Sequence, residues 1–352
     1  MFLKKNELDN ISGYTFHKRL LFSCNKVNEL YSENQLICKS IDGKSLKSTE
    51  DILFFSSVDE NKTYVFQNDK LRSIDSAVWL NTIYENTIIS YNYQANERVF
   101  SIQVFDYILN LPIKNIEIKL SLWNLIREKN YLYFWDYRKF IIKRFSLILS
   151  EINWETDLKG RTYLDVWQEE KEVTIQRIIG IYENQLLLTL NNDELISIDI
   201  ETGKVLWETK DFIKNNLPNS RNISQFRFVY WHIEGSKMYQ LDGNIYYSID
   251  LYSQEIEILW KDESLENFLT ITHKTYTTDY IYFTGSYNNQ LQPHLIGVFN
   301  RKLLKVDWVH DMDLSIDPKM GYSPSLNQPP QVDENKLYVL DTGGTLHIFE
   351  KE

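Results

Sequence analysis

Tryptophan recurs at an even distance from the middle of this chain onward. Trp154, Trp207, Trp260 and Trp308 each close a run of short alternating segments, at separations of 53, 53 and 48 residues. A repeat of about 40 to 50 residues with roughly four strands apiece is the signature of propeller blades. Leucine-rich repeats are shorter, and helical repeats would carry a period of about 3.6 residues, which the apolar positions do not follow.

The clearest unit is "YENQLLLTLNNDELISIDIETGKVLWETK", residues 182–210. Leu186, Leu188 and Leu190 share one side of a strand, because strand side chains alternate. Asn191 to Glu194 supply turn chemistry. Ile196, Ile198 and Ile200 then alternate with Leu195, Ser197 and Asp199, which predicts a second, half-buried strand. Glu201 to Lys204 form the next turn, where Gly203 is free to take a positive φ. Val205 to Trp207 make the third strand. "IEGSKMYQLDGNIYYSIDLYSQEIEILWKDE", residues 233–263, repeats the pattern, with Asp250 in the place of Asp199.

Second strands are expected to begin near residues 19, 62, 131, 185, 237, 280 and 336, which gives seven blades. Residues 81–120 add two further strands, either as an insertion or as a degenerate eighth blade. The expectation is therefore an all-β β-propeller of four-stranded antiparallel blades, seven in number with eight as the alternative. The last unit, 333–352, stops after its second or third strand. N-terminal residues are expected to complete that blade, closing the ring and leaving no edge exposed.

Composition agrees with one large β domain, 1–352. The chain has 23 Tyr, 18 Phe and 9 Trp, residues that favour strands, and only 7 Pro and 12 Gly, with no linker dividing it. A formal net charge of −11 disfavours nucleic-acid binding and suits a soluble monomer or a basic partner. No secretory h-region opens the chain and no apolar run approaches the ~18 residues that a spanning helix needs. A cytoplasmic protein with no membrane partner is expected. Cys24 and Cys38 would pair only in an oxidising compartment.

"NDELISIDIETGKVLWE" resembles the repeat of the quinoprotein (pyrroloquinoline quinone) propeller superfamily, through Leu195, Ile198, Asp199, Thr202, Gly203, Lys204 and Trp207. The resemblance implies that the tryptophan docks between neighbouring blades and that the Thr-Gly turn presents it. The structural repeat positions are then Trp154, Trp207, Trp260, Trp308, Gly203, Asp199 and Asp250. Enzymes of that superfamily hold the quinone against an adjacent-cysteine disulfide, and here the two cysteines stand 14 positions apart. The implied kind is a non-enzymatic member without a cofactor, since fold does not carry function.

No local constellation points to catalysis or to a metal. His17, His232, His273, His294, His310 and His347 make neither H-x-H nor H-E-x-x-H spacing. "DWVHDMDLSIDP" gathers Asp307, Asp311, Asp313 and Asp317, but without the glycine and spacing of a calcium loop; it reads as an acidic connector. "YFWDYRKFIIKRF" places Arg138, Lys139, Lys143 and Arg144 among aromatics, which reads as a hairpin with a charged tip and outer face. "QFRFVYWHIEG" sets Arg227 and Trp231 on one alternating face. Tryptophan and arginine dominate interface energetics, so Trp231, Arg227 and Arg138 are the candidate partner-binding residues. The expected function is non-catalytic protein binding, for instance an immunity or inhibitor protein capping a toxin or another basic partner. The alternative is a propeller enzyme, or a carbohydrate or small-ligand binder, with its site at the central funnel. An envelope assembly factor would need a lipid-attachment cysteine behind a signal, and nothing of that kind precedes Cys24 in "RLLFSCNK".

Overall fold

The computed structural model describes residues 2–352 except 18–19, 33–34, 49–51, 58–61, 69, 75–76, 95–98, 109–110, 119–122, 137–139, 165–166, 193, 210–231, 266–268, 288–291, 313–322 and 327. Within the described residues the chain forms eight four-stranded antiparallel sheets. In chain order these blades are 11–39, 41–74, 77–118, 123–157, 175–208, 232–261, 269–311, and 331–351 joined by 2–8. The Cα positions group into two compact units, 1–60 with 66–70 and 228–352, and 61–65 with 71–227.

The expected count of seven is one short. Six of the seven predicted second strands begin within one residue of the expected place, at Leu20, Tyr131, Gln185, Lys237, Tyr280 and Lys336, whereas the one expected near 62 is Thr63, which opens the third strand of blade 2, the second having begun at Leu53. The eighth begins at Thr87, inside a complete blade of four strands over 77–118 rather than an insertion. The outer strand of blade 3, Leu111–Ile118, has no tryptophan, unlike that of blade 4.

The strands of blade 5 are more deeply placed than alternation predicts. Gln185–Leu190 is buried at every position, and in Leu195–Asp199 only the last residue is partly exposed. Leu186, Leu188, Leu190, Ile196, Ile198 and Ile200 pack with Tyr133, Ile142 and Trp154 of blade 4 in one apolar cluster. Leu187, Leu195 and Ser197 fill the opposite side, so the expected half-buried strand is buried on both faces. A sheet covered on both sides reads as a continuous apolar run.

A bulge recurs in the outer strands. Trp154 stands opposite Arg144 while Ile152 faces Phe145, which leaves Asn153 as the extra residue. Leu206 and Asp307 are the extra residues before Trp207 and Trp308. Such a bulge bends the strand and re-aims the residue beside it. Trp154 then donates its Nε1–H to the carbonyl of Ile200 in blade 5, at 2.8 Å. Its ring covers Gly203, where a Cβ would sit 2.7 Å from the indole and where φ is +73°. The Thr202–Gly203 turn therefore receives the tryptophan of the preceding blade, a correction to the implied role of presenting Trp207. Trp308 likewise meets Phe2 and Phe349 of blade 8, with ring centroids 5.4 and 5.6 Å away.

Blade 6 departs from this register. Trp260 pairs with Tyr246, four residues before Asp250, whereas Trp207 pairs with Ser197, two before Asp199. The even 53-residue spacing of the tryptophans thus hides a slip of two, because Asp199 and Asp250 are 51 apart. Trp260 still reaches the next blade, edge-on to Phe299 at 5.0 Å. Blade 3 uses a different side chain. Lys114 stands opposite Val104 after the extra residue Ile113, in the tryptophan's place. Its ammonium donates to the carbonyl of Leu147 in blade 4, at 2.9 Å, and to that of Ile148.

The N-terminal strand completes the last blade, as expected: Phe2–Leu8 pairs antiparallel with Leu346–Lys351. His347 is buried across this seam, its ring nitrogens 2.8 Å from Glu7 and 2.9 Å from Asp341. Burial pushes the Asp341 carboxyl up, but His347 and the amides of Thr345 and Gly344 outweigh it and hold the group below its usual range. A carboxyl depressed in the folded state contributes stability that is present at neutral pH and is lost as pH falls through its folded value.

Two stability outcomes follow from this packing. Trp154→Ala is expected to cost about 3–5 kcal/mol in urea unfolding, and Gly203→Val, which strikes the same ring, is expected to be strongly destabilising as well. His347→Leu is expected to cost about 3 kcal/mol at pH 7, from a buried carboxylate losing its partner. The deficit should shrink in acid, as pH falls below the ordinary carboxylate range and Asp341 protonates, read from urea midpoints at pH 7 and in acid.

Candidate functional site

The three residues expected to bind a partner, Arg138, Arg227 and Trp231, lie outside the described residues. The repeat positions are structural. Trp207 donates its Nε1–H to Gln185 Oε1 at 2.9 Å, an oxygen that also accepts from Ser197. Asp199 Oδ1 accepts the amides of Glu201 and Thr202, and Asp250 Oδ1 accepts those of Tyr252 and Ser253. Both close the turn between third and fourth strands, as Asn300 does in blade 7. The amides of Ser253 and Tyr252 hold the Asp250 carboxyl below its usual range.

The basic residues near Arg138 are not an exposed outer face. Lys143 and Arg144 are buried. Arg144 makes a two-pronged ion pair with Glu201 of blade 5, at 2.8 and 3.0 Å, and lies 3.7 Å above the Tyr131 ring. Lys143 pairs with Glu155. These cations join strands and blades rather than meeting phosphate. Of the acidic connector, Asp307 accepts from Asn300 and pairs with Lys305, while Asp313 and Asp317 lie outside the described residues. No disulfide joins Cys24, which is buried, to Cys38. No group of three side chains among the described residues is arranged to hold a metal ion.

One element was invisible to the sequence reading. The connection from blade 4 to blade 5 carries a two-stranded hairpin, Thr162–Leu164 against Glu170–Glu172. Three-residue strands without an apolar rhythm leave no signal to find. The hairpin is bolted at its base. Leu158 and Val173, which flank it, belong to the apolar cluster of blades 4 and 5, and the ring of Tyr163 packs against that cluster. Asn191 donates from its side chain to the carbonyl of Glu172 and from its backbone to that of Thr174, both at 3.0 Å. Arg161 pairs with Glu208 in the outer strand of blade 5.

Register then decides what the hairpin shows. Leu164 faces Glu170, Thr162 faces Glu172, and Tyr163 faces Lys171. Directly opposed residues share a side of the sheet, and so do residues two apart. Tyr163 and Lys171 therefore take the side packed on the blade, while Thr162, Leu164, Glu170 and Glu172 take the other. Leu164 is 54% exposed and Trp167, in the connecting loop, is 78% exposed. Lys171 pairs with Glu169, whereas Glu170 and Glu172 have no ion pair among the described residues.

A second cluster combines two buried groups, His273 and Lys274, with the half-buried Asp242. His273 and Lys274 lie on the first strand of blade 7, Leu269–Tyr276, and Asp242 ends the second strand of blade 6, Lys237–Asp242. Burial pulls Lys274 down to about 8, against the opposing field of Asp242. Burial, with help from Lys274, pulls His273 down to about 4. Burial also pushes Asp242 up, with Lys274 opposing. Groups displaced in this way mark ligand sites and structural networks alike.

Comparison with known proteins rests on structure. No protein-family model matches the sequence, and no curated protein matches it. The crystal structure of the computationally designed Ika8 protein superimposes with a TM-score of 0.59 over 97% of this chain and 96% of that one, at 12% identity. BamB from Moraxella catarrhalis, a PQQ-like β-propeller protein, superimposes with a TM-score of 0.55 over 99% of this chain and 100% of its own, at 8% identity. The fold is a β-propeller. At these identities the likeness speaks for the propeller fold alone, here with eight four-stranded blades.

The buried histidine sets a pH dependence. Its folded value, about 4, lies below the ordinary 6.5, so between these the unfolded chain binds more protons and stability rises with pH. His232 and His310 are also lowered, chiefly by burial, and push the same way near the top of that window. Urea midpoints are expected to climb from pH 4 to 6.5, and His273→Asn to flatten most of the climb.

Proposed function

We propose that this chain is a non-catalytic, protein-binding member of the PQQ-like propellers, and that the hairpin at 162–172 carries the contact. The observation behind the proposal is Trp167, 78% exposed on an element that no blade needs for its four strands. An indole is costly to leave in water, and large exposed aromatics on a rigid support are the usual anchors of interfaces. The hairpin base is fixed to blade 5 on both sides, so the anchor is presented with little ordering left to lose on binding. A net charge of −11 favours a basic partner, and an inhibitor or immunity protein that caps a basic toxin is the concrete form of this reading.

A second reading, a small-ligand site, draws on the buried His273 and Lys274 and the half-buried Asp242. A co-purifying small molecule seen by native mass spectrometry, and lost in Lys274→Met, would favour it.

The experiment for the first reading compares proteins captured from the native host by the wild-type chain and by a Trp167→Ala, Leu164→Ser variant. Both substituted side chains are exposed, so unfolding should shift by no more than about 0.5 kcal/mol per site. The expected result is a partner retained by the wild type and lost by the variant. Identical captured sets from the two would refute the reading.

A further inference from the structure

The side of the hairpin turned away from the blade combines two chemistries that one kind of side chain satisfies together. Leu164 and Glu170 stand directly opposite one another, and Glu172 follows on the same side, two residues along. Leucine and two carboxylates thus lie side by side on an exposed surface, with the Trp167 indole in the loop beyond them. Glu170 and Glu172 have no ion pair among the described residues, while Lys171 and its partner Glu169 neutralise one another. The surface therefore keeps two uncompensated negative charges beside apolar area.

We infer that this surface docks an arginine-rich segment of a partner protein, a statement that rests on the protein-binding reading above. Arginine has an aliphatic stem that suits Leu164 and a planar cation that pairs with carboxylates and stacks on an indole face. Lysine offers the stem and the charge but not the planar stacking, so arginine is preferred. Nucleic acid is disfavoured, because its phosphates would meet Glu170, Glu172 and a chain of net charge −11. A hard divalent cation is a poor occupant as well, since it wants six or more oxygen ligands and two carboxylates supply few. The chain already seats guanidinium groups in this way internally: Arg144 lies over Tyr131 while pairing with Glu201, and Arg301 lies over Tyr239 while pairing with Glu234. The hairpin carries the same two kinds of side chain, aromatic and carboxylate, both exposed.

The test titrates the full chain with fluorescently labelled nona-arginine and nona-lysine at two salt concentrations, following anisotropy. Wild type is expected to bind nona-arginine more tightly than nona-lysine. Trp167→Ala should weaken nona-arginine about three- to tenfold, with Trp167→Phe intermediate. Glu170→Gln with Glu172→Gln should weaken both peptides and flatten the salt dependence. Urea midpoints of every variant should match wild type, which separates lost contact from lost fold. Equal binding by all variants would mean attraction to the overall negative charge and would overturn the inference, as would no binding of nona-arginine by the wild type. If the peptides ignore Trp167 while capture of the host partner still depends on it, the arginine assignment falls and the protein-binding reading stands. If neither depends on Trp167, both fall.

Discussion

One contact joins blade 3 to blade 4 and blade 4 to blade 5: a nitrogen donor, placed just past a bulge in an outer strand, bonds a carbonyl at the third-strand turn of the next blade. Trp154 does this with its indole N–H onto Ile200, and Lys114 does it with its ammonium onto Leu147. The two carbonyls occupy equivalent places, each belonging to the residue that follows its blade's third strand. The contact satisfies an acceptor that would otherwise be buried unmade, and an unmade buried hydrogen bond costs about 1–3 kcal/mol. An indole adds a large apolar surface to that bond, whereas lysine adds an aliphatic stem. The geometry uses a donor at the end of a long side chain, and tryptophan and lysine are the two that supply it here.

Docking of this kind explains why the strands of blade 5 carry apolar residues on both sides. A single four-stranded sheet has two faces and no means of covering either alone. Blade 4 covers one face of blade 5 through Tyr133, Ile142 and Trp154, and the strands respond with leucine and isoleucine at nearly every position. Buried cations follow the same logic. Arg144 reaches a carboxylate in the next blade and an aromatic ring in its own, so its charge is both paired and stacked. With blades 4 and 5 committed to one another, the hairpin at 162–172 is left over, and apolar and acidic groups remain together on its outward side.

The sequence by itself determined the strand rhythm, the turn chemistry and the repeat. Short alternating runs, Asp199 and Asp250 before their turns, and Gly203 at a positive φ are local properties that a linear reading captures, because each depends on neighbours a few residues away. Six of eight second strands, and the third strand of blade 2, were legible for that reason. Tertiary structure alone decided the rest. Lys114 in a tryptophan's place, the two-residue slip at Trp260, and Gly203 accepting Trp154 from the blade before all depend on partners tens of residues distant. The hairpin is the sharpest case. Nothing in three-residue strands of mixed composition announces a sheet, and only the pairing of Leu164 with Glu170 places an apolar group and a carboxylate on one exposed side. Secondary structure follows from what a residue is and who follows it, while a surface follows from what folds up beside it.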